Sequence, residues 1–517
     1  MNQALLTITG GPAYPVHFSL VEYIERIIHR YPSNAAAFDE DQRLTYSELR
    51  IELLTLHARL HELGVRSGDV VAVNATVQLR YPVVVLGLLL AGLVYLPIAA
   101  ALPPERKRAI CEQARPALMI TDEQKPDDAI PTCTLSSLFS GKPVGAAFDL
   151  FPEPSPEATA YLIFTSGSTG VPKGVSITRK GFFNRLQWAQ DYYALGSEDV
   201  TALKTQASFD PSIQEAVLPF FSAGAVFVPD HNRVNFPNYL SACIAEHGVT
   251  MLIMVPSHLQ HLLASPAINA CQHLRHIVCC GEPWGVELIS ALHQRLPNCR
   301  IYNGYGPTEA TIGTLVFNPP RGYASDVIPI GKPIAGTHVC IVDEDLQPVP
   351  TGEAGELIIG GICVGDGYLN NAPLTEQRFR RLQVEGAGEV RFYLSGDVAR
   401  ALPTGDIVFL GRRDNQVKIN GVRIELEEIE LALRNCPGVR DAIVVKRKGK
   451  VSDELHAFLI AHMPLDIQAI TTSCARRIGQ ATTPSRFSQV EAFPLNQSGK
   501  VDRRALAATL MNQRSLP

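Results

Sequence analysis

The chain has no excess of basic residues: 46 Lys and Arg stand against 51 Asp and Glu, for a formal charge of -5. A surface that tracks a phosphate backbone needs a cationic stripe, so nucleic acid is a poor partner. The N-terminus, "MNQALLTITGGPAYPVHF", lacks the basic start and apolar stretch that a secretory signal requires, and a cytoplasmic location is expected. Long hydrophobic runs are missing too. The most apolar segment, "VVVLGLLLAGLVYLPI" from Val83, covers about 16 residues and ends near Pro97, short of the roughly 20 needed to span a bilayer. It reads as a buried helix running into a strand. The 11 cysteines include no CxxC pair, and the adjacent Cys279 and Cys280 are too close in sequence to ligate one metal at usual spacing. Reduced, buried thiols are expected. Neither an internal repeat nor a low-complexity tract stands out.

What is present fits a globular chain of 517 residues with 46% hydrophobic and 19% charged content, enough for two or three packed units. Apolar runs that end in glycine or polar turns recur, as in "DVVAVNATV", "ATAYLIFTSGS", "VTMLIMVPSHL", "HIVCCGEP" and "RIYNGYGPTE". Stretches with helical spacing, such as "PNYLSACIAEHG" and "GVELISALHQRL", lie between several of them. This alternation predicts an α/β fold with largely parallel sheet covered by helices, where ligands collect beyond the carboxyl ends of the strands. The segment from Asp122 to Pro156, rich in proline, serine and acid, reads as a surface connection. A sharper change follows "GDIVFLG". From about Arg412 the pattern predicts a small α+β domain with an amphipathic helix near 425–435 and a strand pair around "DAIVVKRKGKVSDELHAFLIAHM". The expected domains are therefore 1–411 and 412–517.

The loop "FTSGSTGVPKG" at 164 is the first candidate site. A Walker-type loop needs GxxxxGK followed by Ser or Thr, but counting from Gly167 puts Pro172 at the second glycine and Gly174 at the hydroxyl position. A GxSxG nucleophile elbow fails as well, because Ser166 stands where its first glycine belongs. What remains is a loop in which Thr165, Ser166, Ser168, Thr169 and Lys173 can donate to phosphate oxygens around Gly167, or else a plain surface turn.

Order decides between these readings. "YLIFTSGSTGVPKGV" at 161, "FDPSIQE" at 209, "NGYGPTEATI" at 303, "GELIIGG" at 355, "YLSGDVA" at 393, "GRRDNQVKINGVRIE" at 411 and "NQSGKVDRRAL" at 496 follow one another in one chain. Together they closely resemble the adenylate-forming superfamily, specifically the amino-acid adenylation domains of nonribosomal peptide synthesis, from about Leu44 to Leu506. The resemblance implies a large N-terminal core domain and a small mobile C-terminal domain. It also implies a reaction in which a carboxylate attacks the α-phosphorus of ATP, expelling pyrophosphate and leaving an acyl adenylate. Two anions must meet in that step, which calls for cations and oriented donors.

Carried over position by position, the resemblance makes Glu309 the Mg²⁺ ligand, with Thr308 beside it near the α-phosphate. Tyr305 would stack on adenine and Asn303 would bond its edge, with Gly304, Gly306 and Phe409 in the same nucleotide site. Asp397 would grip both ribose hydroxyls, assisted by Arg412. Lys500 would bridge the substrate carboxylate and the nucleotide. After adenylation the small domain would swing about a hinge at Asp414, withdrawing Lys500 and bringing up the strand with Lys418 and Gly421 for a phosphopantetheine thiol. The expected cosubstrate and cofactor are thus ATP and Mg²⁺, and the expected partner is a separate carrier protein.

Asp210 in "FDPSIQE" falls where the family keeps an aspartate for the substrate's α-ammonium, behind the aromatic gate Phe209. A buried carboxylate calls for a ligand cation, although an aspartate before Pro211 is also a common helix cap. The rest of the side-chain pocket aligns with Pro211, Gln214, Met254, Val278, Cys280, Gly281, Gly304, Ile312 and Gly313. None is charged, so a neutral amino acid is expected. Two departures from the family pattern occur: "YLPIAA" (Tyr95 to Ala100) lacks the usual acid, and "SGD" replaces "TGD". Neither touches an assigned group. With no carrier or condensation motif after "RRAL", a free-standing activating enzyme is expected. The alternatives are a CoA ligase for a small carboxylic acid and a non-catalytic nucleotide-binding protein.

Overall fold

The computed structural model describes residues 5–15, 19–122, 130–140, 148–167, 170–419, 422–449, 453–461, 465–494 and 501–512. The chain forms two compact units. The larger comprises Met1–Ala100, Ala114–Ile163 and Gly174–Arg413; the smaller comprises Ala101–Gln113, Phe164–Lys173 and Asp414–Pro517. No helix among the described residues is long and apolar enough to cross a membrane.

The most apolar stretch of the sequence is the helix Tyr81–Leu90, whose ten residues are all buried, followed by the strand Val94–Pro97. Val83, Val84 and Val85 are poor helix formers by a few tenths of a kcal/mol each. Burying each valine returns roughly 1.5–3 kcal/mol, so packing decides the conformation. Close packing fixes Gly87: a Cβ there would come 2.4 Å from Leu56 Cδ2 of the helix Tyr46–Glu62.

Alternating strands and helices assemble as the sequence predicts. One sheet runs Lys332–Pro333, Leu315–Phe317, Arg300–Tyr305, His276–Cys280, Met251–Met254, Val200–Ala202, Ala225–Phe227, Ala35–Phe38 and Arg43–Thr45, parallel through its centre and antiparallel at both edges. A second sheet has Val70–Asn74 between Val94–Pro97 and Leu118–Thr121, all parallel, with Thr159–Thr165 beyond Val94–Pro97. Within the predicted surface connection lie the short strand Thr132–Cys133 and the helix Leu135–Leu138.

A third sheet, wholly antiparallel, was not separated from the parallel ones in the sequence reading. Thr337–Val342, Gly355–Gly361 and Gly388–Ala401 lie side by side, and Gly388–Ala401 also pairs with Phe379–Val384 and Ile407–Arg412. Short turns suffice for such pairs, and Gly386 and Gly388, both at φ +75°, supply the left-handed backbone of one of them.

In the smaller unit the predicted helix is Leu426–Arg434, and the predicted strand pair is Val439–Lys448 with Asp453–Ala461, antiparallel. Ile424, Ile429, Leu433, Val444, Leu459, Ile470 and Cys474 form its core. The C-terminal helix Arg503–Asn512 is tied in by Arg503, whose Nη2 donates to buried Glu430 at 3.0 Å and whose Nη1 donates to the Val444 carbonyl at 2.8 Å.

Candidate active site

Strand register gathers four of the residues aligned with the substrate pocket. Met254 pairs with Cys279 and Cys280 pairs with Gly304, which places Met254, Val278, Cys280 and Gly304 at the carboxyl ends of three adjacent parallel strands. Ligands collect at such ends. A Cβ on Gly304 would lie 3.2 Å from Val278 Cγ1 and 3.7 Å from Cys280 Cβ. Gly281, at φ +90°, turns the chain just past Cys280.

The connection from Tyr305 to Leu315 is strained. Thr311 and Ile312 both take left-handed backbone, at φ +61° and +66°, a conformation that costs β-branched residues about 1–3 kcal/mol each. The Thr311 hydroxyl donates to the Cys363 carbonyl at 2.5 Å and holds the turn. Gly306 lets it close: a Cβ would stand 2.6 Å from the Ile312 carbonyl oxygen and 2.7 Å from Gly313 Cα.

Asp397 and Arg412 face each other on antiparallel strands. Arg412 Nη1 pairs with Asp397 Oδ1, the Tyr305 hydroxyl donates to Asp397 Oδ2, and Arg412 Nη2 donates to the Ser395 carbonyl at 3.2 Å. Burial, then the Asp397 charge, holds the Tyr305 phenol well above its usual range. The Tyr305 and Phe409 rings lie 6.4 Å apart. Trp284 Nε1 donates to Asn303 Oδ1 at 2.9 Å, and Asn303 Nδ2 donates to the Pro329 carbonyl at 2.8 Å. That leaves one amide hydrogen and one lone pair on Asn303 for a ligand. Neither Trp284 nor Ser395 was expected here.

Glu309 is fully buried in the short 3-10 turn Thr308–Ala310, and its Oε1 accepts from the Tyr368 hydroxyl at 2.8 Å. One turn has too little dipole to explain a buried carboxylate. Among the described residues no three His, Cys, Asp or Glu side chains converge on one point. A Mg²⁺ ion held by one carboxylate together with substrate phosphates is compatible with that donor set.

Asp210 is 9% exposed and occupies the N-cap position of the helix Pro211–Phe221, yet makes no side-chain cap hydrogen bond. Capping therefore does not account for it. Phe209 precedes it, half-buried. Gln214, on the same helix, is fully buried, and neither end of its amide has a hydrogen-bond partner among the described residues. Its neighbour Glu215, missed by the sequence reading, accepts from the Lys204 and Thr205 backbone amides at 3.0 and 2.8 Å and so fixes the strand end before Phe209. Burial pushes the Glu215 carboxyl up to about 7.

The residues aligned with the pocket are uncharged, but a cation outside that set lies next to one of them. Arg185, from the helix Arg179–Tyr192, is 3% exposed, and its guanidinium stands behind Gly313: a Cβ there would lie 3.6 Å from Nη2 and 3.7 Å from Nε. No motif marks it, because "NRLQW" reads as an ordinary stretch of helix.

In the smaller unit, Ser166 Oγ donates to the Arg423 carbonyl at 3.0 Å, and Lys173 Nζ meets Glu425 Oε1 at 3.2 Å. Thr165 Oγ1 is buried without a partner among the described residues. Gly167 is required by its loop, since a Cβ would stand 2.1 Å from the Val171 carbonyl oxygen. Asp414 Oδ1 accepts from the Gln416 amide at 3.3 Å, and Lys418 pairs with Arg423 in a two-stranded hairpin. Ser168, Thr169, Gly421 and Lys500 lie outside the described residues.

A family model of AMP-binding enzymes matches residues 24–369, and the chain belongs to that family. Enterobactin synthase component F of Escherichia coli (strain K12) is 34% identical over 501 residues, covering 92% of this chain and 38% of that protein. The chain spans well under half the length of the curated relatives it matches first. Among solved structures, a nonribosomal peptide synthesis protein containing adenylation and PCP domains, bound to a vinylsulfonamide inhibitor, matches with a TM-score of 0.83 and 27% identity over 98% of this chain and 85% of that one. A four-domain nonribosomal peptide synthetase bound to AMP and glycine matches with a TM-score of 0.71 and 27% identity, over 96% of this chain and 37% of that one.

Proposed function

We propose that this chain uses ATP to activate the carboxylate of an α-amino acid as an aminoacyl adenylate, and then delivers the acyl group to the phosphopantetheine thiol of a carrier protein. The observation that carries the reading is Asp210: a buried carboxylate at a helix start whose side chain makes no cap bond. An α-ammonium brings such a group an opposite charge, which a fatty or aryl acid lacks.

In this reading Asp397 receives the ribose hydroxyls. Arg412 and Tyr305 hold its two oxygens in place, while the Tyr305 ring face and Asn303 serve the base, with Gly304, Gly306 and Phe409 around it. Thr308, Thr165, Ser166, Gly167, Ser168, Thr169 and Lys173 contact phosphate. Glu309 holds Mg²⁺, which when bound offsets phosphate charge. Lys500 steadies the substrate carboxylate as its oxygen bonds to the α-phosphorus and the bond to pyrophosphate breaks. Asp414 serves as hinge, and Lys418 and Gly421 attend the thiol step, in which the carbon–sulfur bond forms as AMP leaves. A structural relative with adenylation and PCP domains supports a carrier protein as partner.

The aligned wall residues Pro211, Gln214, Met254, Val278, Cys280, Gly281, Ile312 and Gly313 carry no charge, which supports a neutral side chain over a cationic one. Arg185 opposes a cation further. The sequence reading disfavoured aspartate and glutamate for want of a counter-ion, and Arg185 removes that ground. Amino-acid-dependent exchange of labelled pyrophosphate into ATP tests the proposal, and silence across a broad amino-acid panel would refute it.

A further inference from the structure

Next to Gly313, one of the residues aligned with the substrate pocket, lies a cation that the proposed chemistry leaves unused. Arg185 is 3% exposed, and its Nε and Nη1 have no hydrogen-bond partner among the described residues. Burial lowers its pKa, opposed by Tyr193, whose hydroxyl lies within hydrogen-bonding reach, and then by Cys280 and Tyr161, none of them a carboxylate. Its Cζ sits 4.8 Å from the centroid of the Trp188 ring, which backs the guanidinium on one face. Its edge meets the space where Gly313 has no side chain. Burial raises the hydroxyl pKa of nearby Tyr161, and the charges of Asp210 and Arg185 act on it in opposite directions. Gln214, aligned with the same pocket, is also buried, and among the described residues neither of its amide atoms has a hydrogen-bond partner.

Buried donors without acceptors are rare, and each calls for an explanation. A guanidinium offers parallel N–H groups that match a planar pair of oxygens, and Gln214 can add a donor or an acceptor. We propose that Arg185, with Gln214, reads the far end of the substrate, and that the amino acid activated carries a planar oxygen acceptor there, a side-chain carboxylate or carboxamide. This rests on the α-amino-acid reading of the same pocket. Charge balance ranks the two. Asp210 offsets the α-ammonium and leaves the Arg185 charge over, which a carboxylate neutralises and a carboxamide only solvates, so the acid should lead.

The test is pyrophosphate exchange by the full chain with aspartate, glutamate, asparagine, glutamine, serine, valine, leucine, phenylalanine, proline and lysine. Exchange led by one of the first four supports the proposal, and an acid ahead of its amide assigns the counter-ion role. Exchange led by any of the other six overturns it while leaving amino-acid activation intact. No exchange with any of the ten overturns both. In Arg185→Met, kcat/KM for the preferred amino acid should fall about ten- to hundredfold, as for a lost charge-assisted hydrogen bond, with the KM for ATP unchanged. An unchanged kcat/KM in soluble variant protein refutes the assignment. If that variant fails to fold, Gly313→Ala answers the question with the cation kept: its methyl stands in ordinary contact, 3.6 Å from Nη2. The KM for the preferred amino acid should then rise at least tenfold, and an unchanged KM refutes the proposal.

Discussion

Replacing Asp210 with asparagine removes a charge while keeping the shape of the side chain, and the structure sets the size of the effect. Removing one partner of a buried ion pair costs about 3–5 kcal/mol, because the other charge is left uncompensated. At 9% exposure little water reaches this position to make up the loss. Asparagine still presents one carbonyl oxygen to an ammonium, so Asp210→Asn belongs at the lower end, roughly a hundredfold in kcat/KM, and Asp210→Ala nearer a thousandfold. The loss should fall on the amino acid: in pyrophosphate exchange its KM rises, while the KM for ATP, whose nucleoside is held through Asp397 and Arg412 in this reading, stays put. Stability provides the control. A capping aspartate replaced by alanine would destabilise the protein by about 1 kcal/mol, but Asp210 makes no cap bond, so the melting temperature of either variant should hold or rise. A folded Asp210→Asn enzyme with amino-acid kinetics within threefold of the parent would refute the ammonium role and the reading built on it.

Three more predictions follow from the same geometry. Tyr305→Phe removes the hydroxyl that donates to Asp397, and the KM for ATP should rise about tenfold, the worth of a hydrogen bond to a charged group; an unchanged KM would mean that the bond does not orient the carboxylate. Gly306→Ala drives a methyl to 2.6 Å from the Ile312 carbonyl, so the turn bearing Ile312 and Gly313 must shift, and exchange should drop by about a hundredfold, as for a misplacement of about 1 Å; near-normal exchange would show that the turn does not shape the site. Glu215 has its pKa raised by burial from 4.5 to about 7. Its contribution to stability is thus fully present below about pH 4.5 and is lost as pH rises through 7, by about 3 kcal/mol at most. Glu215→Gln should remove that slope in urea unfolding measured from pH 5 to 8, and a parent–variant difference that stays flat with pH would contradict the assignment. His57, held down to about 4 by burial, shifts the opposite way but cancels in that difference.

The parts of the fold that are legible in the sequence are those whose burial is one-sided or complete within a short window. Tyr81–Leu90 is apolar at every position and could only be core. His276–Cys280 and Arg300–Tyr305 end in the glycines and polar residues that the carboxyl end of a parallel strand needs. The antiparallel sheet was harder to see. Gly388–Ala401 carries Glu389, Arg391, Ser395, Asp397 and Arg400 among its apolar residues, and this composition suits a turn-rich segment as well as a strand. Which residue faces Asp397 is set by register, and the irregularity between Val398 and Ala399 that brings Arg412 opposite it leaves no trace in local pattern. The Tyr368 bond to Glu309 spans 59 residues and the Trp284 bond to Asn303 spans 19, so no motif window holds both ends.

The candidate site is where local preferences are overruled. Asp210 stands at a helix start and does not cap it; Glu309 is a fully buried carboxylate in a single turn; Thr311 and Ile312 share a left-handed bend that β-branched residues avoid; Arg185 is buried with Tyr193, Cys280 and Tyr161, and no carboxylate, acting on its charge among the described residues. Each carries a cost that packing elsewhere must offset, and in the proposed reading all four belong to the substrate site and the turns around it. The motifs reveal three of these exceptions, because Asp210, Glu309 and the turn lie inside recurring stretches. Arg185 lies outside them. Its helix has no distinguishing spacing, and its significance comes from its closeness to a glycine 128 residues further on, which only the folded chain reveals. A substrate that satisfied Asp210 alone would leave the guanidinium unmatched, and that imbalance makes the side chain, rather than the ammonium, the point on which selection should turn.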